Sequence, residues 1–302
     1  MDLISGNDIH PMYFNTPSLS PLQLRGAEVA LALEQAEARH LQEQVETYRN
    51  LAGRDRARVV ALAGGIAAFT ENIFGRKLNH VTGLGMGASV SEAGIAQLER
   101  AYAINQLDVE IDLCPHADAS ARRILEARGY TTGALSNTYV CQPTRHDAVA
   151  YLNDAIEVID DRNEIEKTFI KDSMAGFAEQ LVPRPAILLE TLARIAVART
   201  DTLLYAARLK GVTIATAGMS ILEVGADRIA HFYIASTLPT YRGQGAQLGL
   251  LHARLLTAKR MGCRLAFVTA RPANVSARNA ERAGFTLAYT KTTFIKPCVD
   301  IA

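Results

Sequence analysis

Apolar residues along the chain recur at two spacings, every three to four residues and every second residue, with glycine and proline marking the changes between them. Over residues 20–51, Leu24, Leu31, Leu41, Val45 and Tyr48 stand among charged and polar neighbours, which predicts a long helix laid by one face on a sheet. Ser20 and Pro21 read as its cap and first helical residue. Residues 58–69 predict two strands about a Gly64-Gly65 turn, residues 78–84 a further strand, and residues 92–105 a helix. The second half opens with helices to about Arg199. Residues 203–209, 211–222 and 229–238 then predict an antiparallel meander, with Lys210-Gly211 as a hairpin turn. Leu248, Leu251, Leu255 and Ala258 place one apolar face on a helix that ends near Gly262. A strand at 264–269, a short helix at 276–283 stopped by Gly284, and one or two strands over 285–295 complete the pattern.

Two of these stretches echo one another. Residues 120–130, Ser-Ala-Arg-Arg-Ile-Leu-Glu-Ala-Arg-Gly-Tyr, resemble residues 276–285, Ser-Ala-Arg-Asn-Ala-Glu-Arg-Ala-Gly-Phe, allowing one inserted residue. Each is followed by a strand pattern bearing Thr and Tyr, and the strands at 78–84 and 229–238 precede them at similar intervals. The halves therefore read as two copies of one fold. The division falls near residues 142–147, where Gln-Pro-Thr-Arg-His-Asp interrupts the pattern, giving units 1–146 and 147–302. Chance similarity of two amphipathic helix ends is the competing account.

Candidate chemistry concentrates at Arg242-Gly243-Gln244-Gly245-Ala246-Gln247, between the strand ending at 238 and the helix after Gly245. Amides at a helix start are unpaired and carry positive dipole, glycine removes the Cβ that would block close approach, and Arg242 adds a cation. Together they suit a diphosphate. With strand, phosphate turn, helix, strand, helix and strand in that order, the second half resembles the catalytic core of the GNAT superfamily of acetyl-CoA-dependent N-acetyltransferases. That superfamily's pyrophosphate motif is Arg or Gln, two residues, Gly, one residue, then Gly or Ala; Arg242 and Gly245 match it and Gln247 departs from it.

The resemblance implies an α/β fold of two tandem GNAT-like domains, each a mixed, mostly antiparallel sheet flanked by helices. The first is a degenerate copy without the Arg-x-x-Gly cradle. Acetyl-CoA is the implied co-substrate and a small-molecule amine the implied acceptor. The Leu238 backbone is expected to face the acetyl carbonyl and pantetheine. The amides of Gly243, Gln244, Gly245, Ala246 and Gln247 are expected to hold the diphosphate beside Arg242, and Ser276 and Asn279 to line the pantetheine arm. Gly83-Leu84-Gly85-Met86-Gly87 invites a dinucleotide reading, but the G-x-G-x-x-G spacing fails and no acidic residue ends a second strand at the proper remove, so a structural turn is the reading kept.

Acetyl transfer needs a neutral amine, donors aimed at the tetrahedral oxyanion, and a proton for the departing thiolate. The tyrosine that many members carry four residues before the glycine ending the last helix is Ala280 here. Tyr289 and His231 are the candidate catalytic residues, as substitute acid and as proton relay; a packed aromatic and a hydrogen-bonded strand histidine are the alternatives. Glu190 and Glu223 are further candidate bases, or surface charges.

Composition narrows the picture. A length of 302 residues suits two domains, and 49% hydrophobic content supports real cores. With 32 basic and 31 acidic residues, the chain carries no electrostatic footprint for nucleic acid or an anionic membrane. The start of the sequence lacks an apolar leader and no run is long enough to span a bilayer, so a cytoplasmic location is expected. Cys114, Cys141, Cys263 and Cys298 lack pair spacing and the histidines are dispersed, so no metal site is expected. A homodimer is compatible with the sequence. The rivals to an enzyme are a non-catalytic acyl-CoA-binding or sensing module, which suits Ala280, and a structural dimerisation protein that binds no CoA.

Overall fold

Helix α1 (Ala27–Ala52) opens at Gly26, whose cap makes no side-chain bond, and closes at Gly53 in the left-handed region. The computed structural model describes residues 19–20, 23–53, 57–145, 155–178 and 184–298. Pro21 lies outside them, and the helix begins later than the sequence suggests. Ser20 Oγ instead accepts the Gln23 amide at 3.3 Å, leading into a separate 3-10 turn at Gln23–Arg25. Along α1 the buried stripe Val29, Leu33, Ala36, Leu41, Val45 and Tyr48 follows helical spacing, and Glu34, His40 and Gln44 are buried with it.

The rest of the first half runs β1 (Arg58–Leu62), β2 (Gly65–Phe69), β3 (Val81–Thr82), α2 (Glu92–Ile104), β4 (Val109–Leu113), α3 (Ala119–Ala127) and β5 (Thr131–Cys141). The second comprises β6 (Ile156–Ile159), α4 (Arg162–Phe177), α5 (Ala186–Ala198), β7 (Thr202–Leu209), β8 (Val212–Val224), β9 (Asp227–Thr237), α6 (Ala246–Arg260), β10 (Leu265–Ala270), α7 (Val275–Arg282) and β11 (Thr286–Lys296). Lys210 and Gly211 both take positive φ between β7 and β8, as a two-residue hairpin turn requires. Strand β6 has no counterpart in the sequence-based reading.

All eleven strands form one sheet in the order β1-β2-β3-β4-β11-β5-β10-β9-β8-β7-β6. Its neighbours are antiparallel except β3 with β4 and β9 with β10, one parallel pair in each half. The final strands are exchanged: β5 of the first half pairs with β10 of the second, and β11 of the second with β4 of the first. At the centre β5 and β11 pair with each other. The echoed segments occupy matching places, α3 and α7 each leading through a glycine at positive φ, Gly129 and Gly284, into the exchanged strand. The expected boundary falls on a 3-10 turn at Pro143–Arg145 and on residues 146–154, which lie outside the described set. Because β5 pairs with β10, a cut there does not divide the sheet.

Alternation along the strands sorts the two faces. Phe232 joins the apolar cluster under α6 and α7, whereas His231 and Tyr233 lie beside His40 of α1. Ile111 and Leu113 join the cluster under α2 and α3, whereas Asp112 turns with Thr293 toward the α1 side. Helices α2, α3, α6 and α7 thus cover one face, and α1, α4 and α5 the other.

Candidate active site

Strands β9 and β10 pair only from Ile229 opposite Leu265 to Phe232 opposite Val268. Beyond that point β9 stays with β8 and β10 stays with β5, so the two arms part in a V. A bulge bends β9 at the fork: register shifts opposite Thr216 and Gly218, and Ile234 sits at φ 47°, strained for a β-branched residue. The parting strips one edge of β9 of its partner. Leu238 donates its amide to the Ile214 carbonyl at 2.9 Å, and its own carbonyl accepts from Tyr241 at 2.9 Å. The Leu238 backbone, expected at the acetyl carbonyl and pantetheine, therefore has its amide engaged by Ile214 of β8. Because backbone groups alternate edges along an antiparallel strand, the amide of Thr237 turns toward the vacated edge instead.

The turn after β9 delivers the chain to the start of α6 at the same fork. Gly243 (φ 79°) and Gly245 (φ 93°) occupy the left-handed region, and a Cβ on either would meet nothing within 4 Å. Backbone conformation favours glycine there, and the space in front stands open. Gly245 caps α6 with no side-chain bond, so the first-turn amides gain no acceptor from the capping residue. Arg242, Gly243, Gln244 and Gly245 are exposed and Ala246 is buried. The departure at Gln247 has a structural reason. Its Nε2 donates to the Ser236 carbonyl at 2.8 Å and to Thr237 Oγ1 at 2.9 Å, bracing α6 against the end of β9. Ser276, exposed, and Asn279, half-buried, lie on α7, whose Ala277 and Ala280 share the α6 apolar cluster. Asn274 caps α7 by accepting the Ala277 amide at 2.8 Å.

Tyr289 lies away from the fork, and His231, one residue before the last β9–β10 pair, is buried at its base. Tyr289 is on β11, separated from β10 by β5, and its hydroxyl donates to Glu34 Oε1 at 2.8 Å beneath α1. Burial and the Glu34 carboxylate hold its phenol well above the ordinary range, which removes it as the acid. His231 stacks on Phe267 at 4.3 Å and meets His40 edge-on at 4.3 Å. Burial, then the cations of Arg199, Lys291 and Arg254, pull its imidazole down to about 3, too weak a base to relieve an ammonium. Glu190 and Glu223 are surface partners of Arg194 at 2.7 Å and Arg228 at 2.8 Å.

A buried polar layer beneath α1 escaped the sequence reading. Lys291 reaches Glu37 at 2.7 Å and Glu34 at 3.3 Å; burial opposes its charge, and the two carboxylates outweigh burial to hold it protonated. Asp112 binds Arg76 at 2.6 Å and Thr293 at 2.7 Å. Only long-range pairing of β11 with β4 brings these residues together, so no local signal marks them. Among the described residues no group of His, Cys, Asp or Glu could hold a metal ion, and no helix is long and apolar enough to cross a membrane.

The fork, the glycine turn and the uncapped helix define a GNAT-like α/β fold. Solved structures agree. The chain is similar to a GCN5-related N-acetyltransferase from Kribbella flavida, at 16% identity over 87% of this chain and 96% of that one, with a TM-score of 0.59. It is similar also to a tandem GNAT protein from the clavulanic acid biosynthesis pathway, at 12% identity over 93% and 97%, with a TM-score of 0.60. A GCN5-related N-acetyltransferase from Sphaerobacter thermophilus aligns at 15% identity over 94% and 96%, with a TM-score of 0.54. No protein-family model and no curated protein sequence matches the chain.

Proposed function

We propose that the protein transfers an acetyl group from acetyl-CoA to the amine of a small acceptor at the β9/β10 fork. The observation that carries this reading is the helix start without a side-chain cap, set beside a strand edge that has lost its partner. The amides of residues 243–247, with Arg242, would hold the diphosphate, and the open edge of β9 would receive the amide-bearing pantetheine arm as a substitute strand. Bound acetyl-CoA supplies an activated acyl carbon. The Thr237 amide would polarise the carbonyl as negative charge develops on it. The attacking amine arrives neutral from solution, the C–N bond forms as the C–S bond breaks, the nitrogen gives its surplus proton to solvent, and the thiolate takes one proton from solvent. This needs no tyrosine at position 280.

A second reading, a CoA-binding module without turnover, is favoured by one observation: Ala280 is buried where an acid is expected, and Tyr289 is committed to Glu34. Calorimetric titration with acetyl-CoA, followed by thiol release over a panel of amines, separates the readings. Binding with turnover supports the transferase, binding without turnover on any amine supports the sensor, and no heat from folded protein sinks both.

A further inference from the structure

The end of β9 carries the Thr237 amide, and within the sheet only β8 holds it. Past Phe232 the strand has lost β10, a bulge interrupts its register with β8, and pairing resumes with Ser236 opposite Thr216 and Thr237 opposite Ala215. A donor acts on a developing negative charge only when its direction is fixed beforehand, and a displacement of about 1 Å can cost about a hundredfold in rate. Support for this peptide unit has to come from outside the sheet.

Two helices supply it, one on each face. On the α6 face, Gln247 Nε2 donates to the Ser236 carbonyl at 2.8 Å and to Thr237 Oγ1 at 2.9 Å. On the α4 face, Ser236 Oγ donates to the Ser173 carbonyl at 3.2 Å. With its one proton spent there, Ser236 Oγ accepts from Thr216 Oγ1 at 3.2 Å. Ser173, Thr216 and Ser236 are all buried, where hydroxyls need partners. Helix α4 comes this close because residue 176 is glycine. A Cβ on Gly176 would lie 2.2 Å from Ser236 Oγ, 2.6 Å from Ser236 Cβ and 3.1 Å from the Thr237 nitrogen. Gly176 does not take a positive φ, so its backbone conformation does not call for glycine, and inside a helix glycine is less favourable than alanine. Close approach to the end of β9 is what accounts for it.

We propose that Gly176 and Ser236 are positioning residues for acetyl transfer, seating α4 on the end of β9 and so fixing the direction of the Thr237 amide. The role rests on the transferase reading, which makes Thr237 the donor to the acetyl carbonyl; both residues act through Thr237 rather than on the acetyl group. Alanine at 176 forces α4 and the Ser236–Thr237 peptide apart. Alanine at 236 removes the bond to Ser173 and takes the acceptor from the Thr216 hydroxyl. Neither change reaches the start of α6, where the diphosphate would be held, so donor alignment and coenzyme affinity should separate.

The test reads the bound thioester directly, by isotope-edited infrared difference spectra of acetyl-CoA carrying carbon-13 at the carbonyl. In the wild type the carbonyl band is expected below its position in free acetyl-CoA, as a hydrogen bond to the oxygen requires. In Gly176→Ala and in Ser236→Ala at least half of that downshift should be lost, with calorimetric affinity for acetyl-CoA within threefold of wild type. Where an amine turns over, kcat should fall at least tenfold at unchanged KM for acetyl-CoA. Combining Gly176→Ala with Ser236→Gly should be no worse than Gly176→Ala alone, because both changes act at one contact. If Gly176→Ala does not fold, Ser236→Ala carries the test. A downshift unchanged in the folded single variants, a downshift absent from wild type with acetyl-CoA bound, or an affinity that falls as far as kcat overturns the proposal. Should the wild type bind no acetyl-CoA, the proposed function fails, and the Thr237 amide resonance of ligand-free, nitrogen-15-labelled protein decides the clamp. That resonance should be single in wild type and broadened or split in the variants; an unaltered one overturns the clamp.

Discussion

Helices α2 and α6 follow equivalent strands in the two halves, yet their first turns differ in what remains unsatisfied. At α2, Ser91 Oγ accepts the Gly94 amide at 3.1 Å and caps the helix. The loop before it is folded onto its own half: the Gly85 amide bonds to Ala63 at 2.8 Å, the Asp118 amide to the Gly85 carbonyl at 2.8 Å, and the Val90 amide to Ser120 Oγ at 2.8 Å. A Cβ at Gly64 would lie 2.1 Å from the Met86 carbonyl, so the loop rests directly on backbone. Strand β3 ends at Thr82, leaving no run of vacated edge, whereas β9 continues through residues 233–237 after its last pair with β10. Glycine content does not separate an open turn from a filled one, since residues 83–87 hold three glycines and residues 243–245 hold two. Unspent hydrogen-bonding capacity does.

That comparison assumes two halves locked into one body, and the lock is the first thing to break. Lys291, on exchanged strand β11, is buried against Glu34, which is fully buried, and Glu37. Lys291→Met strands a buried carboxylate, with an expected cost of about 3–5 kcal/mol. Chemical denaturation followed by both far-ultraviolet dichroism and tyrosine fluorescence should show a single transition moved to lower denaturant. Two separated transitions in the wild type would show that the exchanged strands do not couple the halves.

Acid should strain the same seam. His40 of the first half and His231 of the second are buried, and burial lowers both imidazoles, His231 to about 3. The unfolded chain takes up protons below about pH 6.5 that the folded chain refuses, so stability falls as pH drops through 6.5 and keeps falling toward 3. Each histidine contributes a slope approaching about 1.4 kcal/mol per pH unit. Denaturation midpoints at pH 7.0, 6.0 and 5.0 check this, and His231→Phe should flatten the dependence; an unchanged slope in that variant would refute the assignment.

The cradle itself is sharpened by charge. Gly243→Asp places a carboxylate in open space at a left-handed position that aspartate tolerates. Acetyl-CoA affinity is expected to drop about 30-fold, or about 2 kcal/mol, with the unfolding midpoint nearly unchanged. An affinity that survives would place the diphosphate elsewhere.

Much of this was legible in the chain and some was not, for physical reasons. Strands β1, β2 and β7 to β10, the Lys210-Gly211 turn and the glycine turn before α6 are local patterns, and local patterns suffice to find them. The exchange of β5 and β11 is not local, because the edges of β4 and β10 each accept a strand of matching hydrophobic alternation, and chain order does not say which. Tyr289 is misread because a bulge between Leu287 and Tyr289 sets the face it takes on β11. Leu238 and Thr237 differ by one residue, and one residue reverses the edge to which an amide points.

The smallest effect is the most discriminating. Ser91→Ala removes the α2 cap and frees first-turn amides in the half whose loop is closed. It is expected to cost about 1 kcal/mol of stability. In a variant that also carries Gly243→Asp, residual acetyl-CoA heat should remain as weak as with Gly243→Asp alone, because uncapping a helix does not reopen a cleft that the chain fills at Gly85, Asp118 and Ser120. A new binding isotherm in the double variant would mean that the cap, rather than the folded-back loop, is what silences the first half.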